Sequence, residues 1–193
     1  MKKNLMKSAL LLGAVLMLMA VGAPAASAQK AGIGIEFGYR QFFAATDARF
    51  SGSGSVYRIH FDAGDGTQLF YHQESLSLTF LNTGAATGVQ GNSGISGVGI
   101  SITMADLLNV SMMLGTGQTN INNALTSSDS VVDLEVSYVY EASEKAFINV
   151  GLSNRIHSLG GSLAGTAVGG GTDVTQVNSL GGLLLHLGLG LQF

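Results

Sequence analysis

Leu185-His186-Leu187-Gly188-Leu189-Gly190-Leu191-Gln192-Phe193 alternates without a break. Every odd-numbered position is large and apolar, and every even-numbered one is polar or glycine. A period of two belongs to a β-strand, because successive side chains leave opposite faces of the sheet. This strand therefore has one apolar face, and that face ends on an aromatic ring.

Working back from the tail, the same alternation recurs seven times. A first strand spans about Ala31 to Ala44, with Ile33, Ile35, Phe37, Tyr39 and Phe43 on one face and Glu36 and Arg40 on the other. A second, Gly54 to Ala63, sets Tyr57, Ile59 and Phe61 against Arg58, His60 and Asp62; Gly64-Asp65-Gly66 then marks a tight hairpin turn. The third, Thr67 to Leu81, is irregular: Leu69 and Tyr71 share one parity, Leu76, Leu78 and Phe80 the other. A β-bulge near residues 73–75 reconciles the two and turns His72 and Glu74 to the polar face; without it they face the apolar side. The fourth strand is Ser96 to Ala105 and the fifth begins at Leu108. The sixth is Ser130 to Glu141 and carries Asp133 and Glu135. The seventh, Ala146 to Ser158, carries Arg155 and His157.

Connections alternate in length. Short turns follow the second, fourth and sixth strands. Longer Gly/Ser/Thr/Asn-rich loops are expected at Ala45–Ser53, Asn82–Ile95, Thr116–Asp129 and Leu159–Ser179. Short turns on one rim and long loops on the other is the asymmetry of a membrane-spanning barrel. An even strand number puts both ends of the chain on the short-turn side.

The N-terminus carries a different signal. Lys2, Lys3 and Lys7 precede an apolar stretch from Ala9 to Val21 and the small-residue triplet Ala26-Ser27-Ala28. Residues 1–28 read as a cleavable signal peptide, leaving 29–193 as one domain. Removal takes three of nine Lys+Arg and none of twelve acids, for a mature net charge of −6. An acidic chain without a basic patch argues against nucleic acid. The absence of cysteine removes disulfides, thiolate metal sites and a thiol nucleophile. The single proline, Pro24, lies in the signal segment, so nothing interrupts the strand ladders.

The fold class is therefore all-β, an eight-stranded antiparallel barrel. Its apolar face is expected to point outward to lipid. The opposite face mixes charges with Gly and Ser, whereas a soluble barrel shows Lys and Glu to water. The inward charges would be Glu36, Arg40, Arg58, His60, Asp62, Asp133, Glu135, Arg155, His157 and His186. Eight strands enclose a space only wide enough for side chains, so these charges should pair and fill it. Gly188 and Gly190 should make room for charges across the barrel. Two aromatic girdles are expected: Phe61, Tyr71, Tyr138, Tyr140, Phe147 and Phe193 near the short turns, and Phe43, Phe50 and Phe80 toward the loops.

Several chemical look-alikes are set aside. His157-Ser158 beside Glu135 suggests a hydrolase triad, but adjacent strand residues face opposite ways. His60, His157 and His186 lack close metal-ligand spacing. Gly32, Gly34 and Gly38 precede no helix, so no dinucleotide loop is expected. Asp62 to Gly66 lacks the later ligands of a calcium loop. No catalytic residue, metal site or cofactor is expected.

The whole pattern, with the terminal Phe193, resembles the small eight-stranded outer-membrane barrels of the OmpA-transmembrane-domain and OmpX type. The resemblance implies a place in the bacterial outer membrane with periplasmic termini, and contact with outer-membrane lipids and lipopolysaccharide. It also implies that Leu187, Leu189, Leu191 and Phe193 act as the signal read by the barrel-assembly machinery. No periplasmic domain is expected after the last strand. The expected role is structural or in surface interaction through the loops, with a charged plug in the lumen. A narrow solute channel and a lipid A-modifying enzyme are the alternatives.

Overall fold

The computed structural model describes residues 31–46, 50–80, 89–104, 107–121, 125–160, 167–168, 175–176 and 179–193. The signal segment lies outside them. The strands are β1 (Gly32–Ala45), β2 (Phe50–Asp62), β3 (Thr67–Phe80), β4 (Val89–Met104), β5 (Leu108–Ile121), β6 (Leu125–Ser143), β7 (Ala146–Leu159), β8 (Ala167–Val168), β9 (Thr175–Gln176) and β10 (Gly182–Gln192). All except the two-residue pair β8 and β9 join one closed barrel, in the order β1-β10-β7-β6-β5-β4-β3-β2. Every neighbouring pair is antiparallel, and β1 closes the sheet on β10, with Phe37 opposite Leu189 and Arg40 opposite His186. Closure leaves no unpaired sheet edge, which is what a wall standing in lipid requires.

The turn rim is built locally. Gly64 and Gly66 adopt φ values of 84° and 81°, conformations that side-chain-bearing residues seldom accept. Asp62 accepts from Gly64 N–H at 2.8 Å, and Asp65 accepts from Thr67 N–H at 2.8 Å. The second bond holds the Asp65 carboxyl below its usual range.

The strands are longer than the apolar alternation. β4 begins seven residues before Ser96, and the β5–β6 ladder reaches Ile121 and Leu125. Residues 89–95 of the expected loop Asn82–Ile95 and most of the expected loop Thr116–Asp129 are therefore strand. Ser, Thr, Asn and Gly give no hydrophobic period, yet their backbones pair as well as any. β6 has 19 residues. About ten cross the apolar band of such a barrel, so the rest of the wall stands beyond it.

β3 shows what happens at that boundary. No bulge interrupts it: the β2–β3 and β3–β4 registers run straight through residues 73–75. His72 and Glu74 point inward in this single register. Its outer face passes from Leu69 and Tyr71 to Gln73, Ser75 and Ser77. Its inner face passes from Gln68, His72 and Glu74 to Leu76, Leu78 and Phe80. Polarity inverts along the strand while the register does not. The register shifts lie elsewhere, between Phe42 and Ala44 and between Glu141 and Ser143.

The inversion builds an internal apolar cluster toward the loops: Phe42, Phe50, Leu76, Leu78, Phe80, Leu159, Leu180 and Leu184. Phe50 and Phe80 thus leave the expected girdle and pack inside, with ring centroids 6.1 Å apart. Phe147 also turns inward, 6.1 Å from the His60 ring. It fills the space that Gly190 leaves open, so Gly190 makes room for a ring and not for a charge. Phe61, Tyr71, Tyr138, Tyr140 and Phe193 stay exposed near the turn rim, and Phe43 is exposed toward the other.

The absence of cysteine makes the register of β3 directly testable. In the folded protein in detergent, Ser75→Cys and Ser77→Cys should react rapidly with a bulky maleimide. Leu76→Cys and Leu78→Cys should react only after denaturation. The reverse pattern would restore the bulge.

Candidate functional site

Alternation places a column of charges inside the barrel. Glu36 and Arg40 come from β1, Arg58 from β2, His72 and Glu74 from β3, Asp133 and Glu135 from β6, Arg155 from β7 and His186 from β10. All are at most 4% exposed. Glu135 is the hub. Arg58 donates to both its oxygens, at 2.9 and 2.6 Å, and Arg40 donates to it as well. Arg155 makes a matching fork on Glu74, at 2.6 and 2.8 Å, and also donates to Asp133 at 2.7 Å. Arg40 bridges the two halves by donating to Glu74 and Asp133. Forked, charge-assisted bonds are the strongest polar contacts a protein makes.

Two histidines complete the network with different roles. Arg58 Nε donates to His72 Nδ1 at 3.1 Å, so that nitrogen carries no proton. His72 is the neutral tautomer and donates from Nε2 to Glu74 at 3.1 Å. His186 meets carboxylates with both ring nitrogens: Nδ1 stands 3.1 Å from Glu135, and Nε2 stands 2.8 Å from Glu36, out of line for a hydrogen bond. A ring between two carboxylates is suited to carry its positive charge. With it, Arg40, Arg58, Arg155 and His186 balance Glu36, Glu74, Asp133 and Glu135. Glu36 also accepts from Asn149 at 3.0 Å and has His60 at 3.4 Å.

Close approach of backbone makes this packing possible. A Cβ on Gly188 would lie 2.6 Å from the Glu36 carboxylate, and one on Gly38 would lie 2.9 Å from His186 Nε2. Arg58 also lies over the Phe70 ring, 5.3 Å from its centre, on the turn side of the network.

Two sequence-derived residues stand apart from the network. Asp62 sits at the turn rim and accepts from Gln68 at 3.0 Å. His157 lies toward the loops and faces Asp129 at 2.7 Å, which also accepts from Thr119. Ser158 is exposed on the other face of β7, so the pair His157-Ser158 builds no triad. Asp129, which the sequence reading left at the end of a loop, shares parity with Val131, Asp133 and Glu135. That parity was the signal for it. No group of three or more potential metal ligands occurs among the described residues.

The outer face is the opposite in character. Phe37, Leu69, Val98, Ile102, Leu114, Val150 and the tail residues Leu185, Leu187, Leu189, Leu191 and Phe193 are all exposed. So broad an apolar exterior around a charged interior is the inverse of a soluble barrel.

The comparison with solved structures agrees. The chain superposes on Neisserial surface protein A with a TM-score of 0.50 and 13% identity, over 86% of this chain and all of that one. The fold is that of the small outer-membrane β-barrels. The outer membrane protein OprG from Pseudomonas aeruginosa aligns with a TM-score of 0.47 and 11% identity, over 87% of this chain and 99% of that one. No family model matches the chain, and no curated protein matches it by sequence.

Within this outer-membrane barrel fold, Glu135 is the residue whose loss leaves most charge unpaired. Glu135→Ala should take the forked carboxylate from Arg58, leave Arg40 with Glu74 and Asp133 and His186 with Glu36 alone, and cost about 3–5 kcal/mol. Arg155→Ala, which leaves Glu74 and Asp133 to share Arg40, should be similar. Urea unfolding in detergent micelles, read by loss of β-sheet circular dichroism, measures both. Midpoints equal to wild type in both variants would show that the network carries no stability.

Proposed function

We propose that this chain spans the bacterial outer membrane as a plugged barrel and acts as a structural or surface-interaction protein through its extracellular loops. The observation that carries this reading is the interior: four buried carboxylates and their cationic partners interlock across six strands, with an apolar cluster stacked on the loop side. Opening a continuous water path past Arg58, Glu135 and Arg155 would break several charge-assisted bonds at once. The apolar outer band supports the lipid-facing orientation. Both termini then lie on the periplasmic side with the short turns. Outer-leaflet lipid and lipopolysaccharide are the immediate surroundings, and residues 1–28 are the export signal.

The barrel-assembly machinery is the partner at the tail. Leu187, Leu189, Leu191 and Phe193 form one exposed apolar row, and Phe193 is 72% exposed with its backbone paired to Ile33. The reading is non-enzymatic: Ser158 lies on the opposite face of β7 from His157.

Two experiments test this. Planar bilayers containing the wild-type protein should show no discrete conductance steps; regular openings in wild type would replace the plug with a channel. Deleting Phe193 should sharply reduce the amount of heat-modifiable barrel in outer-membrane fractions. Wild-type amounts without it would remove the assembly role of the tail.

A further inference from the structure

On the outside of the wall, toward the loops, lies a polar hollow of about 750 Å³. Gly94 of β4 is part of its lining. A Cβ built on Gly94 meets no atom within 4 Å. In the register Gly94 pairs with Ser75 of β3 and with Gln118 of β5, and Gln118 pairs with Ser128 of β6. Directly paired residues share a face, so the side chains around the gap are Gln73, Asn92, Ser96, Thr116, Gln118 and Asn120. All are amides or hydroxyls, which both donate and accept hydrogen bonds.

Charge is missing from this surface. Glu74 and Asp129 contribute only to its inner wall; both are buried, Glu74 by Arg155 and Asp129 against His157. No Lys or Arg lines the hollow, so a phosphate would find no cationic partner there. One outward position along the strands, the apolar band begins: Val98 follows Ser96 and is 65% exposed, and Leu114 precedes Thr116 and is 53% exposed. The hollow thus sits directly above the lipid-facing surface.

We propose that this hollow binds the uncharged sugar of an outer-leaflet glycolipid, whose acyl chains lie on Val98 and Leu114. The inference rests on the membrane reading above. A concave site lined by neutral donors and acceptors suits a ligand made of hydroxyls. The continuity of the hollow with the apolar band suits an amphiphile held in the same membrane and not a free glycan.

Native mass spectrometry of the full barrel released from vesicles tests it. The vesicles mix phosphatidylcholine with equal amounts of a neutral glycosyl diacylglycerol and anionic phosphatidylglycerol. Wild type should retain the glycolipid several-fold over phosphatidylglycerol. Gly94→Trp places an indole in the hollow from a position where a Cβ meets no atom within 4 Å, and should lose that preference with an unchanged melting temperature. Gly94→Ala should keep it. Equal retention by wild type and Gly94→Trp overturns the proposal, as does preference for phosphatidylglycerol. A dimer that Gly94→Trp splits also overturns it and assigns the hollow to a second copy. Flotation of the same vesicles separates the two readings. A wild type that floats without glycolipid preference fails the hollow alone, and one that does not float fails the membrane reading as well.

Discussion

Four carboxylates and their cations share an interior barely wide enough for side chains, and the rest of the barrel answers to their pairing. Glu135 cannot be held by one strand. It needs Arg40 from β1, Arg58 from β2 and His186 from β10, while Glu74 needs Arg155 from β7. These elements are far apart in sequence and meet only when β1 closes on β10. An unclosed sheet would leave both its edge groups and these charges unpaired, so closure and charge pairing are one cooperative event. The glycines opposite Glu36 and His186 follow from the same need for space.

The second organising fact is the change of solvent along the wall. Near the turns the outside is apolar and the inside charged. Toward the loops the outside becomes Ser, Thr, Asn and Gln, and the inside becomes Phe and Leu. Each half buries what its surroundings do not solvate. The lower half suits hydrocarbon and the upper half suits water, so the inversion marks where the wall leaves the membrane. The outward hollow at Gly94 lies next to that border, where the wall has turned polar while carrying no charge. The apolar cluster and the ion pairs then stack as two different seals in one lumen.

Much of this was legible residue by residue. The parity of Glu36, Arg40, Arg58, His60, Asp133, Glu135, Arg155, His157 and His186 follows from uninterrupted alternation in their strands. β3 misled for a physical reason: its apolar residues change face where the environment changes, and a reading that ties apolar residues to one face must invent a bulge. Phe50 and Phe80 were misplaced by the same rule, since near the loops an aromatic is better buried inside than displayed outside. Phe147 was misplaced because only Gly190, on the adjacent strand, makes the space its ring occupies. The outer strand extensions were invisible because Gly, Ser and Asn carry no hydrophobic period.

Sequence alone determined the period of two, the number of long strands and the side each residue takes relative to its neighbours. Those follow from local backbone geometry, which every residue carries with it. Tertiary structure alone decided which charges are partners, that His72 is neutral while His186 sits between two acids, and where the apolar side passes from outside to inside. Partnership depends on distances between strands as far apart in sequence as β1 and β10, as for Glu36 and His186. The side that counts as buried depends on the medium around the closed wall, and neither is a property of a strand taken singly.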